Sequence, residues 1–276
     1  MDKGVIQMKK LTKLSMLMIL MLAVILSGCG TSETTGGTDG EKTLKVVTNA
    51  AYAPMEYLNG DKVEGFDVDF IEAVAEEAGY KVDVVHTGWD SMFVEIEDNI
   101  ADLAVAAITI TDDRKETYDF SVPYYLSTNM ILVKEGSDIK SADDLKDKKV
   151  AVQNGTTGQE SAEAILGVNS PNIKKFEDNN LAIQELLSGG ADAVVADNTV
   201  VETYVKNNPD QKLVVVGDEK NFDSEFYGLL FPKGSELTAE FDKAVNAVLD
   251  SGKYTEIYKE WFGVEPDLDA LKAAQN

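Results

Sequence analysis

Thr111-Asp112-Asp113-Arg114 is the segment whose residue types point most directly at chemistry. A guanidinium presents a planar fork of donors, so Arg114 is able to grip a carboxylate through two parallel charge-assisted hydrogen bonds, which a lysine cannot do. Thr111 stands where it would cap a short helix carrying Arg114, with Asp112 and Asp113 in the first turn. The competing use of Arg114 is a surface ion pair with Asp112 or Asp113. A second segment, Gly155-Thr156-Thr157-Gly158, opens a predicted helix. The free N–H groups of that turn make an anion site, and plain N-capping is the other use of the threonines.

Other chemistries lack material. His86 is the only histidine and Cys29 the only cysteine. Zinc sites, Ser-His-Asp or Cys-His catalysis and an internal disulfide are therefore not expected. His86 ends the strand-like run 81–86 and reads as a strand-end side chain. No P-loop, dinucleotide fingerprint or Gly-x-Ser-x-Gly occurs. No metal and no cofactor are expected. The net charge of −24 repels nucleic acid and anionic lipid headgroups. A hydrophobic content of 44% argues for a folded chain.

Residues 1–28 have the build of a secretory signal peptide: Lys9, Lys10 and Lys13, then an apolar run over 14–26, then small residues. The run is short of the roughly 20 residues that a membrane span needs. Met8 reads as a more natural start than Met1. Leu26-Ser27-Gly28-Cys29 resembles the lipobox of bacterial lipoproteins, in which cleavage before the cysteine leaves it to carry lipid. That implies a membrane anchor at Cys29, with an ordinary signal peptide as the alternative. The Gly/Thr/Ser-rich stretch 29–42 reads as a flexible tether with a reach of roughly 20 Å.

These residues must be held by an α/β framework. Strand-like runs at 44–48, 82–85 and 103–108 alternate with helical patterns over 67–78 and around Met92, Phe93 and Ile96. The second half repeats the plan, with strands at 149–152 and 191–196 and helices around Ala162, Ile165 and Leu166 and over 180–187. Ala101-Asp-Leu-Ala-Val-Ala106 and Ala191-Asp-Ala-Val-Val-Ala196 agree at four of six positions, within the same order of elements. Two similar lobes are the expectation, with ligand groups at the carboxyl ends of their strands. The runs 214–216 and 227–231 are expected to return the chain to the first lobe. Helices over 241–249 and 254–262 then complete it, with Val245, Leu249, Ile257 and Trp261 in the core.

Across residues 43–264 several segments together resemble bacterial extracellular solute-binding proteins of family 3, the amino-acid receptors of ABC importers. They are Thr48-Asn-Ala-Ala-Tyr-Ala-Pro-Met-Glu56, Gly65-Phe-Asp-Val-Asp-Phe70, Ala107-Ile-Thr-Ile-Thr-Asp-Asp-Arg-Lys115, Asp119-Phe-Ser-Val-Pro-Tyr-Tyr125, Asp144-Leu-Lys-Asp-Lys-Lys-Val-Ala-Val152 and Gly252-Lys-Tyr-Thr-Glu-Ile-Tyr-Lys-Glu-Trp-Phe-Gly263. The resemblance implies a two-lobed type II periplasmic-binding-protein fold, each lobe a sheet flanked by helices. It places the first lobe at 43–123, hinge segments at 124–128 and 223–227, the second lobe at 129–222, and the return to the first lobe at 228–276. It implies that Arg114 holds the ligand carboxylate, with Thr109 beside it and Thr156 and Thr157 closing from the other lobe. Asp197 would hold the ammonium with the carbonyl of Ala107, and Tyr52 and Trp89 would sandwich the ligand side chain. Capping of the next helix by Asp197 and a plain core role for Trp89 are the alternatives.

Two departures bear on the ligand. Asn49 stands where many relatives carry Asp, and Gln153 where a glutamine-binding relative carries Lys. Loss of an acid argues against a buried cationic head, so a polar neutral amino acid, glutamine first, is the expectation; cystine, histidine and the basic amino acids are the alternatives. The expected whole is a monomeric, lipid-anchored receptor on the extracytoplasmic face of the cell membrane. It would close around its ligand and deliver it to a permease and its ATPase subunits, without binding nucleic acid and without catalysis. A dehydratase-like enzyme on the same scaffold would need a general acid such as Asp90 or Glu160. A sensory ectodomain would need a following membrane helix.

Overall fold

The computed structural model describes residues 42–275. The signal segment 1–28, Cys29 and all of the tether but Lys42 lie outside the described residues. Among those described, no helix is long and apolar enough to cross a membrane.

Strand β1 (Thr43–Thr48) is β-branched and alternates into the core at Leu44 and Val46. A small antiparallel flap follows: β2 (Ala51–Tyr52), β3 (Glu56–Asn59) and β4 (Lys62–Glu64). Helix α1 (Phe66–Ala78) buries Val68, Ile71 and Ala75 and ends on Gly79 in the left-handed conformation, as its periodicity and cap predict. Then come β5 (Lys81–His86), α2 (Trp89–Glu97), β6 (Leu103–Ala104), α3 (Asp112–Thr117) and β7 (Tyr118–Phe120). The long β8 (Tyr125–Lys134) leads into β9 (Val150–Gln153), α4 (Thr157–Leu166), β10 (Ile173–Phe176), α5 (Asn179–Ser188), β11 (Ala193–Asp197), α6 (Asn198–Asn207) and β12 (Leu213–Val216). The chain ends through β13 (Ser224–Tyr227), β14 (Leu230–Pro232), α7 (Leu237–Ser251), α8 (Lys253–Phe262) and α9 (Leu268–Ala273).

Two sheets carry the lobes, in the orders β5-β1-β6-β14-β7 and β10-β9-β11-β8-β12. The internal repeat is visible here. β1 lies between its parallel partners β5 and β6, as β9 lies between β10 and β11, and beyond β6 and β11 the next strands, β14 and β8, run antiparallel. The near-identical hexapeptides supply β6 and β11, equivalent strands of the two sheets.

β8 joins the lobes. Its first four residues pair with β13 and its remainder pairs with β11 and β12. The run 214–216 thus stays in the second sheet, and β13 rather than β12 brings the chain back. The expected strand over 103–108 is also shorter. Only Leu103–Ala104 pairs, and Ala107 turns to φ +48°. The buried Asp67 carboxylate takes the Ala107 N–H at 2.8 Å in place of a ladder partner. Local apolarity favours a strand there, and one tertiary hydrogen bond overrides it.

The first-lobe core is aromatic. Phe66 touches Phe70, Tyr124, Tyr125, Tyr254, Tyr258 and Phe262, with ring centroids 5.1–6.5 Å apart. The C-terminal helices therefore complete the core that α1 begins. Gly65 lets the flap lie against the start of α1: at φ +146° an added Cβ would collide with the Met55 carbonyl. Gly65→Ala is expected to cost about 2–4 kcal/mol. The melting temperature should then fall by roughly 5–15 °C, as followed by circular dichroism.

Candidate functional site

Where the carboxyl ends of the two sheets face each other lies a narrow cleft. All ten residues singled out in the sequence line it: Asn49, Tyr52, Trp89, Ala107, Thr109, Arg114, Gln153, Thr156, Thr157 and Asp197. Glu56, Ala106, Asn179 and Ala196 join them.

Arg114 rides on α3, and Thr111 caps that helix by accepting the Arg114 N–H at 3.2 Å. Its guanidinium donates to the carbonyl of Thr109 at 2.8 Å and, across the cleft, to the carbonyl of Gly155 at 3.1 Å. It lies 5.6 Å from the ring centroids of both Trp89 and Phe93. Asp112 pairs with Lys115 instead, so the guanidinium fork is held toward the cleft. Burial lowers the Arg114 pKa, while Glu160, Asp197 and Glu225 support its charge. It stays ionised.

Asp197 ends β11 at the start of α6 but makes no capping bond with its side chain. It accepts instead from the phenols of Tyr227 and Tyr52. Burial raises its pKa and those hydrogen bonds, with Arg114, counter the rise. A buried carboxylate held this way is one cation short of neutrality. The Ala107 turn, fixed by Asp67, lies beside it. Burial pushes Asp67 up to about 6, opposed by the Ala107 N–H and the Tyr124 hydroxyl, which sits 2.9 Å from both carboxylate oxygens.

From the second lobe, Thr156 caps α4 through the Gln159 N–H at 3.3 Å and donates to the carbonyl of Gln153 at 2.9 Å. N-capping and cleft lining coincide there. Thr109 and Thr157, expected beside a ligand carboxylate, direct their hydroxyl protons to Glu225. Gly158 lets α4 approach the sheet, since a Cβ there would meet the Val195 carbonyl oxygen at 2.8 Å.

The deep end of the cleft holds groups without protein partners. The Gln153 amide oxygen accepts from Asn179 at 2.8 Å, but its Nε2 and the Asn179 Oδ1 are buried and unbonded. Glu56 is 1% exposed, no N–H or hydroxyl donor reaches its oxygens, and its carboxyl shares its proton with the Asp67 carboxylate. Burial, then the Asp67 carboxyl beside it, hold its pKa well above the usual carboxylate range. The sequence reading missed this acid. Only the folded flap, by pairing Tyr52 with Glu56, puts both side chains on one face. Asp90 and Glu160, named for an enzymatic alternative, are exposed and do not line the cleft. His86 stands outside it, accepting the Ala50 N–H at 3.0 Å on Nδ1. No cluster among the described residues has the makings of a metal site.

Known proteins are similar to this chain in sequence and in fold. A probable histidine-binding protein of Neisseria gonorrhoeae is 40% identical over 249 residues, 88% of this chain and 92% of that one. The arginine-binding extracellular protein ArtP of Bacillus subtilis is 36% identical over 253 residues, 89% of this chain and 97% of that one. The solved arginine-, lysine-, histidine-binding protein ArtJ of Geobacillus stearothermophilus superposes with a TM-score of 0.82 at 54% identity, covering 84% of this chain and 100% of that one. The model of the bacterial extracellular solute-binding proteins, family 3, matches residues 44–264, and the chain belongs to that family.

Proposed function

We propose that the protein is the extracytoplasmic receptor of an amino-acid ABC importer and that it takes a basic L-amino acid, arginine first. In this role the Arg114 fork holds the α-carboxylate, and Asp197 with the Ala107 carbonyl holds the α-ammonium. Tyr52 and Trp89 flank the side chain, and its cationic head reaches Glu56.

The observation that carries this reading is the buried Glu56 carboxyl, which faces Asp67 but no cation, in the same cavity as the Arg114 fork. It supplies the acid that Asn49 lacks, and so removes the reason for preferring glutamine. The similarity to proteins named for arginine, lysine and histidine supports the same choice. The open amide atoms of Gln153 and Asn179 suit the N–H groups and bridging water around such a head. Arg114 and Asp197 sit on different lobes, so closure about β8 and β13 completes the site. The role is capture and release. Anchoring through lipid on Cys29 is part of the proposal and rests on Leu26-Ser27-Gly28-Cys29.

Thermal scans of the full chain with each of the twenty amino acids and with cystine test it. Arginine at about a thousand times its Kd is expected to stabilise by roughly 4 kcal/mol, a shift of roughly 8–16 °C. No shift with any of them overturns the receptor assignment. A larger response to glutamine than to arginine, lysine and histidine overturns the basic preference.

A further inference from the structure

Glu225 lies on β13, in the second crossing between lobes, just outside the cleft lining. Its half-buried carboxylate collects three donors. Oε2 accepts from the hydroxyls of Thr109 at 2.9 Å and Thr157 at 2.8 Å, and Oε1 from the amide of Asn129 at 2.6 Å. Thr109 follows the first-lobe strand β6, whereas Thr157 and Asn129 belong to second-lobe elements. One acidic side chain on the connecting strand therefore ties both lobes together.

A hydroxyl has one proton to give. Thr109 and Thr157 give theirs to Glu225, so both threonines present only lone pairs to the cleft they line. The charged and titratable groups around Glu225 are Arg114, which attracts it, Asp197, which repels it, and the phenol of Tyr52. Glu160 shares an outer groove with it. Burial, then Asp197, push Glu225 up to about 7 in this closed arrangement.

We propose that Glu225 is a positioning residue that joins the lobes through Thr109, Thr157 and Asn129, and whose charge beside Asp197 makes closure depend on a cation arriving between them. The ammonium of a captured amino acid supplies that cation, and only this ligand step rests on the receptor function proposed above. With no ligand, closing brings two carboxylates together out of water. The closed form then holds a proton more tightly than an exposed glutamate, whose ordinary value is near 4.5. Empty closure is therefore favoured at low pH and is progressively lost as pH rises from about 4.5 to about 7.

The test uses the full chain carrying Cys29→Ser, with spin labels at Leu58→Cys and Leu181→Cys. Both positions are exposed, on β3 and α5 at the mouth of the cleft, where Asn180 donates to the Ala51 carbonyl at 3.0 Å. Distance distributions report the closed-to-open ratio. Without ligand, that ratio is expected to fall more than tenfold between pH 5 and pH 8. Glu225→Gln, which keeps an acceptor oxygen but not the charge, is expected to remove most of the fall while leaving the circular dichroism spectrum unchanged. An equal fall in Glu225→Gln, or none in the parent, overturns the proposal. At pH 8, adding arginine should close the parent. A parent that shows the pH-dependent closure but answers to no basic amino acid supports the role of Glu225 and overturns the ligand assignment instead.

Discussion

Arg114→Lys is expected to weaken arginine binding by about a hundred- to a thousandfold, which isothermal calorimetry reads directly. The charge survives the substitution, so the loss measures geometry. The guanidinium spends one N–H on the Thr109 carbonyl and one on the Gly155 carbonyl, and its remaining N–H groups are free to address the cleft. An ammonium at the same site has three donors around a single point and cannot span both carbonyls and a carboxylate. Breaking a buried charge-assisted pair by removing its fixed partner costs about 3–5 kcal/mol, and retention of the charge keeps the expected loss toward the low end. Asn49→Asp should change affinity far less and mainly alter preference, because Asn49 lines the cleft without holding the Arg114 fork. Equal losses in the two variants would contradict the assigned roles.

Glu56→Gln is expected to lower arginine affinity by roughly a hundredfold while leaving glutamine affinity within a few-fold, so that discrimination collapses. Burial, then the Asp67 carboxyl, raise the Glu56 pKa well above the usual carboxylate range. A guanidinium brought against it favours the ionised form and lowers its pKa. The complex therefore holds fewer protons than the free protein, and arginine affinity should rise with pH across the interval between the two values. Calorimetry in buffers of different ionisation enthalpy should detect proton release on binding arginine. That release should be much smaller with glutamine and in Glu56→Gln. Proton release of the same size with both ligands would remove Glu56 from contact with the side-chain head.

Much of this site was legible because its residues sit at element ends, where local sequence is most explicit. Thr111 and Thr156 announce helix starts, Asp197 ends an apolar run, and the repeated hexapeptide marks equivalent strands. Glu56 and Glu225 were not legible for one shared reason. Each looks like a solvent-facing acid on a short polar strand, and each is placed only by pairing with a segment elsewhere: Glu56 lines the cleft through Tyr52 across the flap, and Glu225 stands behind it through β8. The overestimated strand over 103–108 failed the same way. Asp67, forty residues earlier in the chain, decides where Ala107 turns. Seven residues after Asn49 the flap brings a second acid, Glu56, into the lining of the same cleft.

The two crossings also set an order of assembly. The second-lobe sheet is drawn wholly from one continuous stretch between β8 and β13, so it is able to form as soon as that stretch is available. The first-lobe core cannot. Phe66 and Phe70 on α1 wait for Tyr254, Tyr258 and Phe262, nearly two hundred residues later. Contacts so distant in sequence form slowly, because the intervening chain must first be closed into a loop. A nascent chain of this design stays unfinished at its amino-terminal half until almost its last helix has been made.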